Sequence, residues 1–126
     1  MKRLLSVCLL LFAFSLSMFA DLDIKTYQIN GTCTELGLND GEKVDVIMNE
    51  SRDMSFTHPW MYSHSIELDR NVSAGYWRDG WKQIKYRIKD SNRVVWVEFY
   101  GGDGKSLTKS IRIKGNDGKY CYLQQE

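Results

Sequence analysis

His58 and His64 are the two histidines of the chain, and a histidine pair is a common start for a transition-metal site. Their spacing does not set them side by side on one regular element, and no third and fourth ligand follows at a recognised interval. In an extended reading His64 shares a face with Ile66 and Leu68, so a hydrogen-bonded structural histidine is expected. Glu67 would join it as a ligand only through a bend in the chain. Ser63 and Ser65 flank His64, but neighbours on a strand point to opposite faces. A nucleophile–base pair needs convergence in space, which this adjacency does not provide. The Asp103-Gly104 and Asp117-Gly118 pairs place oxygen donors in turns, without the twelve-residue calcium loop and its closing acid. The segment GGDGKS lacks the spacing of a phosphate-cradling loop and opens no helix. No metal, no cofactor and no enzymatic activity is therefore expected.

Two other constellations suit binding rather than catalysis. Tyr76, Trp77 and Trp81 cluster near Gly75 and Gly80, where a wide turn would expose their rings. Such rings can pack on the apolar face of a sugar, with Arg78, Asp79 or Lys82 reaching its hydroxyls, or anchor a protein partner. Lys85, Arg87 and Lys89 alternate along one segment, as do Arg112 and Lys114 along another. If those faces coincide they form a basic patch, which Trp96, Glu98 and Tyr100 share. Interleaved basic and aromatic residues also suit single-stranded nucleic acid. The charge balance of the chain argues against that use.

Cys33 and Cys121 are the third piece of chemistry. An even pair in an exported domain predicts a disulfide, and a loop this long is worth roughly 4 to 5 kcal/mol in the chain-entropy picture. Two cysteines alone make a poor zinc site.

The elements that must position these residues read as strands. Residues 82–89 alternate Ile84, Tyr86 and Ile88 with polar neighbours, and residues 93–100 run RVVWVEFY. The Gly101-Gly102-Asp103-Gly104 turn leads to a third strand around Ile111 and Ile113, and Gly115-Asn116-Asp117-Gly118 leads to residues 119–123. Further strands are expected at 21–30, as an edge strand, at 43–49 and at 60–68. Residues 50–59 show no clean period, and Pro59 breaks the chain there. Residues 72–81 read as a strand plus turn or an ordered surface loop. No long amphipathic helix, linker or exact repeat is present. The expected fold is all-β: a small two-layer β-sandwich or partly open β-barrel of five to seven mostly antiparallel strands.

Residues 1–20 read as a secretory signal. Lys2 and Arg3 precede an apolar run over 4–19, too short for a membrane span, and Ala20 offers a cleavage position. Cleavage after Ser17 satisfies the small-residue rule better. Cys8 lies inside that run and is expected to leave with it. Residues 21–126 then form one β-rich domain with no transmembrane segment. Removing Lys2 and Arg3 turns the formal charge of +1 into −1, without the basic excess of a nucleic-acid-binding protein. Asn30, Asn49 and Asn71 open N-glycosylation patterns, which count only where the machinery exists.

The resulting expectation is a secreted or periplasmic protein that binds an extracytoplasmic protein. It would serve as an inhibitor or toxin-neutralising protein acting by surface occlusion. Trp77, Trp81, Arg87 and Arg112 are its candidate contacts. The alternative is a non-catalytic carbohydrate or cell-envelope binding module on Tyr76, Trp77 and Trp81.

Overall fold

The structure is a computed structural model, described here for residues 23–58, 61–70 and 76–126. The expected signal at 1–20, with Cys8, lies outside the described residues, as do Trp60 and Asn71 and the side chains of His64 and Tyr76. Nine strands follow in order: β1 (Asp23–Asn30), β2 (Lys43–Met48), β3 (Met54–His58), β4 (Met61–Arg70), β5 (Tyr76–Arg78), β6 (Trp81–Ile88), β7 (Val94–Tyr100), β8 (Ser110–Lys114) and β9 (Tyr120–Gln125). Every pairing is antiparallel.

Eight of these strands close into a barrel. Sequential neighbours pair except β4 with β5, β9 returns to β1, and β4 pairs with β6. β5 is extra: it pairs with Trp81–Gln83 of β6, on the edge that β4 meets further along at Tyr86–Ile88. The expected five to seven strands are thus corrected to nine among the described residues, and the sandwich or partly open barrel to a closed one. The edge strand expected at 21–30 is corrected over its described part, Asp23–Asn30, because β1 pairs with both β2 and β9. Closure removes the row of unpaired backbone groups that each free edge would expose.

Alternation decides which face is which. Tyr27, Ile29, Val44, Val46, Ile84, Tyr86, Val97, Phe99, Ile111 and Leu123 all point inward and are almost fully buried. Their outward neighbours include Lys85, Arg87, Glu98 and Arg112. Apolar inside and charged outside is the reverse of a lipid-facing barrel. Among the described residues no helix is long and apolar enough to cross a membrane.

Both ends are plugged. At one end residues 101–109 fold across the opening: the Tyr27 hydroxyl donates to the Thr108 carbonyl, and the Leu107 N–H donates to Asp23 Oδ2 at 2.6 Å. Gly104 sits at φ +79°, and a Cβ there would collide with Ile84. At the other end a 3₁₀ turn, Thr34–Leu36, buries Leu36 and Leu38. The Cys33–Cys121 disulfide spans 88 residues of sequence there and ties that turn to β9, with a Cα–Cα distance of 5.5 Å. Burial raises the Tyr27 and Tyr86 phenols well above the ordinary tyrosine range. The Tyr86 hydroxyl still finds a partner, the Arg52 carbonyl at 2.8 Å.

Candidate binding face on the outside of β6–β9

Cross-strand register assembles a surface from residues far apart in sequence. Lys85 of β6 lies opposite Trp96 of β7, which lies opposite Lys114 of β8, which lies opposite Tyr120 of β9. A second row runs Gln83, Glu98, Arg112 and Tyr122. Trp81 opposite Tyr100 and Ser110 opposite Gln124 belong to a third, which carries no charge on β6–β9. The faces of Lys85–Arg87 and Arg112–Lys114 therefore do coincide, and Trp96, Glu98 and Tyr100 share them.

The centre of this face is an ion pair held out of water. Glu98 points outward from the barrel yet is only 3% exposed. Arg112 donates to Glu98 Oε1 twice, from Nη2 at 2.8 Å and from Nε at 3.2 Å. Gln83 Nε2 approaches the other oxygen, Oε2, at 3.5 Å. The Arg112 guanidinium carbon packs 4.2 Å from the centre of the Trp81 ring and 4.5 Å from that of Tyr120. Large rings thus cover a charge pair that a sheet surface normally leaves wet, and cation–π contact offsets part of the desolvation.

The electrostatics follow from this packing. Burial opposes the charge on Arg112, but the hydrogen bonds and negative charge of Glu98 outweigh it and hold the guanidinium above its ordinary pKa. Burial raises the Tyr120 phenol, and the neighbouring Glu98 carboxylate raises it further. A guanidinium fixed by two bonds and two rings has lost most of its rotamer freedom before any partner arrives.

Beside the ion pair the face stays open. Trp81 meets Tyr100 with ring centres 5.0 Å apart at 57°. Tyr100 and Tyr122 are about half exposed. With Ser110 and Gln124 they surround a shallow hollow of about 240 Å³. The two-residue turn Asp79-Gly80, with φ of +53° and +86°, brings Trp81 to this position. Gly80 also leaves room for Tyr100: a Cβ there would sit 3.0 Å from its ring.

The expected site residues fall in different places. Trp81 and Arg112 are in contact. Trp77 is opposite Lys82 in register and Arg78 is opposite Trp81, so Trp77 and Trp81 leave the hairpin on opposite faces. The half-exposed Trp77 ring carries the Lys82 ammonium 5.3 Å from its centre. Tyr76 is opposite Gln83, and its side chain lies outside the described residues. Arg87 is on the outward face but near the far end of β6, bonded to Asp69 Oδ2 at 3.1 Å. Tyr120 and Tyr122 are new members. The signal for them was the inward Cys121 between them, which turns both tyrosines outward.

A second hollow of about 320 Å³ lies on the β2–β4 side, lined by Asp53, Ser55, Glu67, Asp69 and Lys89 among others. Its acid Glu67 accepts from Lys89 at 2.6 Å. His58 Nδ1 lies 3.3 Å from Glu42 Oε2, and no group of three or more metal-binding side chains occurs among the described residues. No family model, no curated protein and no solved structure matches the chain.

Proposed function

We propose that this is an extracytoplasmic binding protein that occludes the surface of a partner protein, as an inhibitor or toxin-neutralising protein would. The observation that carries this reading is Arg112, fixed by a buried Glu98 and two aromatic rings at the centre of a face edged by exposed tyrosines. Tyr, Trp and Arg are the residues that dominate binding energy at protein interfaces, and a rigid surface loses little entropy on docking. The disulfide suits an oxidising compartment, which supports a partner met in a secreted or periplasmic setting. Occlusion needs no cofactor and no reacting group. The contacts move from the expected set to Trp81, Tyr100, Arg112 and Tyr122.

Site-directed photo-crosslinking tests this. A photoreactive residue at Tyr122 should give a saturable protein adduct in extracytoplasmic extract, and one at Asp45 on the opposite wall should not. Equal labelling at both positions, or no adduct at Tyr122 over a range of salt, would defeat the reading.

The uncharged row favours a second reading, carbohydrate binding without catalysis. Trp81, Tyr100, Ser110 and Gln124 combine aromatic faces with a hydroxyl and an amide around the hollow. Glycan binding that Tyr100→Ser abolishes, with no protein adduct at Tyr122, would put this reading first.

A further inference from the structure

We infer that the partner docks through a two-point anchor: a carboxylate on the free edge of Arg112 and a neighbouring uncharged apolar side chain in the hollow beside it. This rests on the protein-binding reading above and names the chemistry that the partner must present.

The first point follows from donors. A guanidinium carries five N–H groups in a planar fork. Arg112 directs Nε and one Nη2 hydrogen at Glu98, and Nη1 has no hydrogen-bond partner among the described residues. Its side chain keeps 19% of its surface open. The remaining edge suits a planar acceptor, and a carboxylate fits it in bidentate fashion. The surroundings select for negative charge. Lys85, Arg87, Arg112 and Lys114 occupy outward positions on β6–β9, where Glu98 is the only acid, and Arg112 already holds it. Asp69 of β4 takes Arg87. Lys85 and Lys114 form no ion pair among the described residues, so the face is electropositive on a chain of near-zero net charge.

The second point follows from the hollow. Its volume, about 240 Å³, is below the roughly 300–1,000 Å³ of small-molecule pockets, and it is open and shallow. It has room for one anchoring side chain. Trp81, Tyr100 and Tyr122 wall it. The Ser110 hydroxyl donates to Gln124 Oε1 at 2.6 Å, so that donor and that acceptor are already engaged with each other. No charged residue lines it, so a charged head buried there would be uncompensated, whereas a Leu, Met or Phe side chain would exclude water from the rings. Ser110 and Arg112 are two residues apart on one strand face, which sets the anchors about 7 Å apart. Successive same-face positions of a strand, or positions one turn apart on a helix, span that distance.

A random-peptide phage library selected on the folded, disulfide-bonded protein tests this. The expected enrichment is Asp or Glu within four residues of a large apolar side chain. A synthetic peptide from that pool should lose about tenfold or more in affinity when its acid becomes the amide, and similarly against Tyr122→Ser. Arg112→Lys, which keeps the charge opposite Glu98 and so spares the fold, should weaken the peptide by loss of the fork alone. Enriched peptides without an acid, peptides indifferent to both variants, or no enrichment would each overturn the anchor. The Tyr122 crosslink reads occlusion independently. An adduct there with acid-free peptides sinks the anchor alone, and the absence of both sinks the binding reading as well.

Discussion

The outward faces of β1–β4 and of β6–β9 belong to the same barrel wall but treat their polar groups differently. On β1 and β2 the polar side chains of this face are short or well hydrated. Thr26 donates to Asp45 Oδ1 at 2.6 Å, and Lys43 meets Glu126 at 3.2 Å with both side chains largely exposed. On β6–β9 a carboxylate is removed from water by a guanidinium, two rings and an amide. The first arrangement leaves each charge stabilised by solvent, so losing a partner matters little. The second makes Glu98 depend on Arg112. A sheet surface becomes rigid, and useful for docking, when its charges satisfy each other beneath aromatic cover.

Breaking the ion pair tests this contrast most severely. Arg112→Ala should destabilise the protein by about 3–5 kcal/mol, because it strands a buried carboxylate. Lys43→Ala, on the other wall, should cost about 0–1 kcal/mol. Urea midpoints measure both, and similar shifts would erase the distinction. The double variant Glu98→Leu with Arg112→Met asks whether the pair itself stabilises the fold. Removing both charges together should recover stability to within about 1–2 kcal/mol of the unmodified protein. A double variant as unstable as Arg112→Ala would show that ring packing on the guanidinium, not charge, holds the face.

Alkaline titration gives a smaller effect. The Tyr120 phenol has a folded pKa above the ordinary value of 10.0, so the folded state holds its proton more tightly than the unfolded chain does. The resulting stability is fully present below pH 10.0 and is lost as pH rises through the folded value. Tyr27 and Tyr86 add slopes of the same sign from inside the barrel. Tyr120→Phe should therefore flatten, without abolishing, the fall in unfolding free energy above that pH. An unchanged slope would mean that neither burial nor Glu98 raises the Tyr120 phenol in the folded protein. The smallest shifts belong to Tyr100→Ser and Tyr122→Ser. Each should move stability by only about 0.5 kcal/mol or less, since both rings are half exposed. A larger loss would make those rings part of the fold rather than of a docking surface.

Much of the candidate face was legible because β6–β9 alternate cleanly, so the coincidence of Lys85 with Lys114 and of Glu98 with Arg112 follows from parity and short turns. β3 was not legible. Phe56 and Thr57 are both buried, and the register shifts between Thr57 and His58, so the period-two signal is lost just before Pro59. Closure was hidden for a different reason: the β1–β9 and β4–β6 contacts are non-local, and no local pattern announces them. Trp77 and Trp81 looked like one cluster because they are close in sequence. The Asp79-Gly80 turn is two residues long, which makes Arg78 and Trp81 partners and sends Trp77 to the other face. Tyr122 and Arg112 are ten residues apart in sequence, yet lie directly opposite each other across β8 and β9.

The β1–β9 seam also sets the order in which the chain can finish folding. A chain made from its N-terminus can pair β1 with β2 early, but the other edge of β1 stays open until β9 arrives. That last pairing closes nearly the whole domain into a ring, a contact of high sequence separation that tends to form slowly. Cys33 waits on the same event, because its partner is the second residue of β9. Until then Cys33 is a free thiol on an unfinished barrel, open to pairing with the wrong sulfur. The disappearance of that thiol is a clock for closure, and a nascent chain halted before Cys121 would leave the clock unstarted.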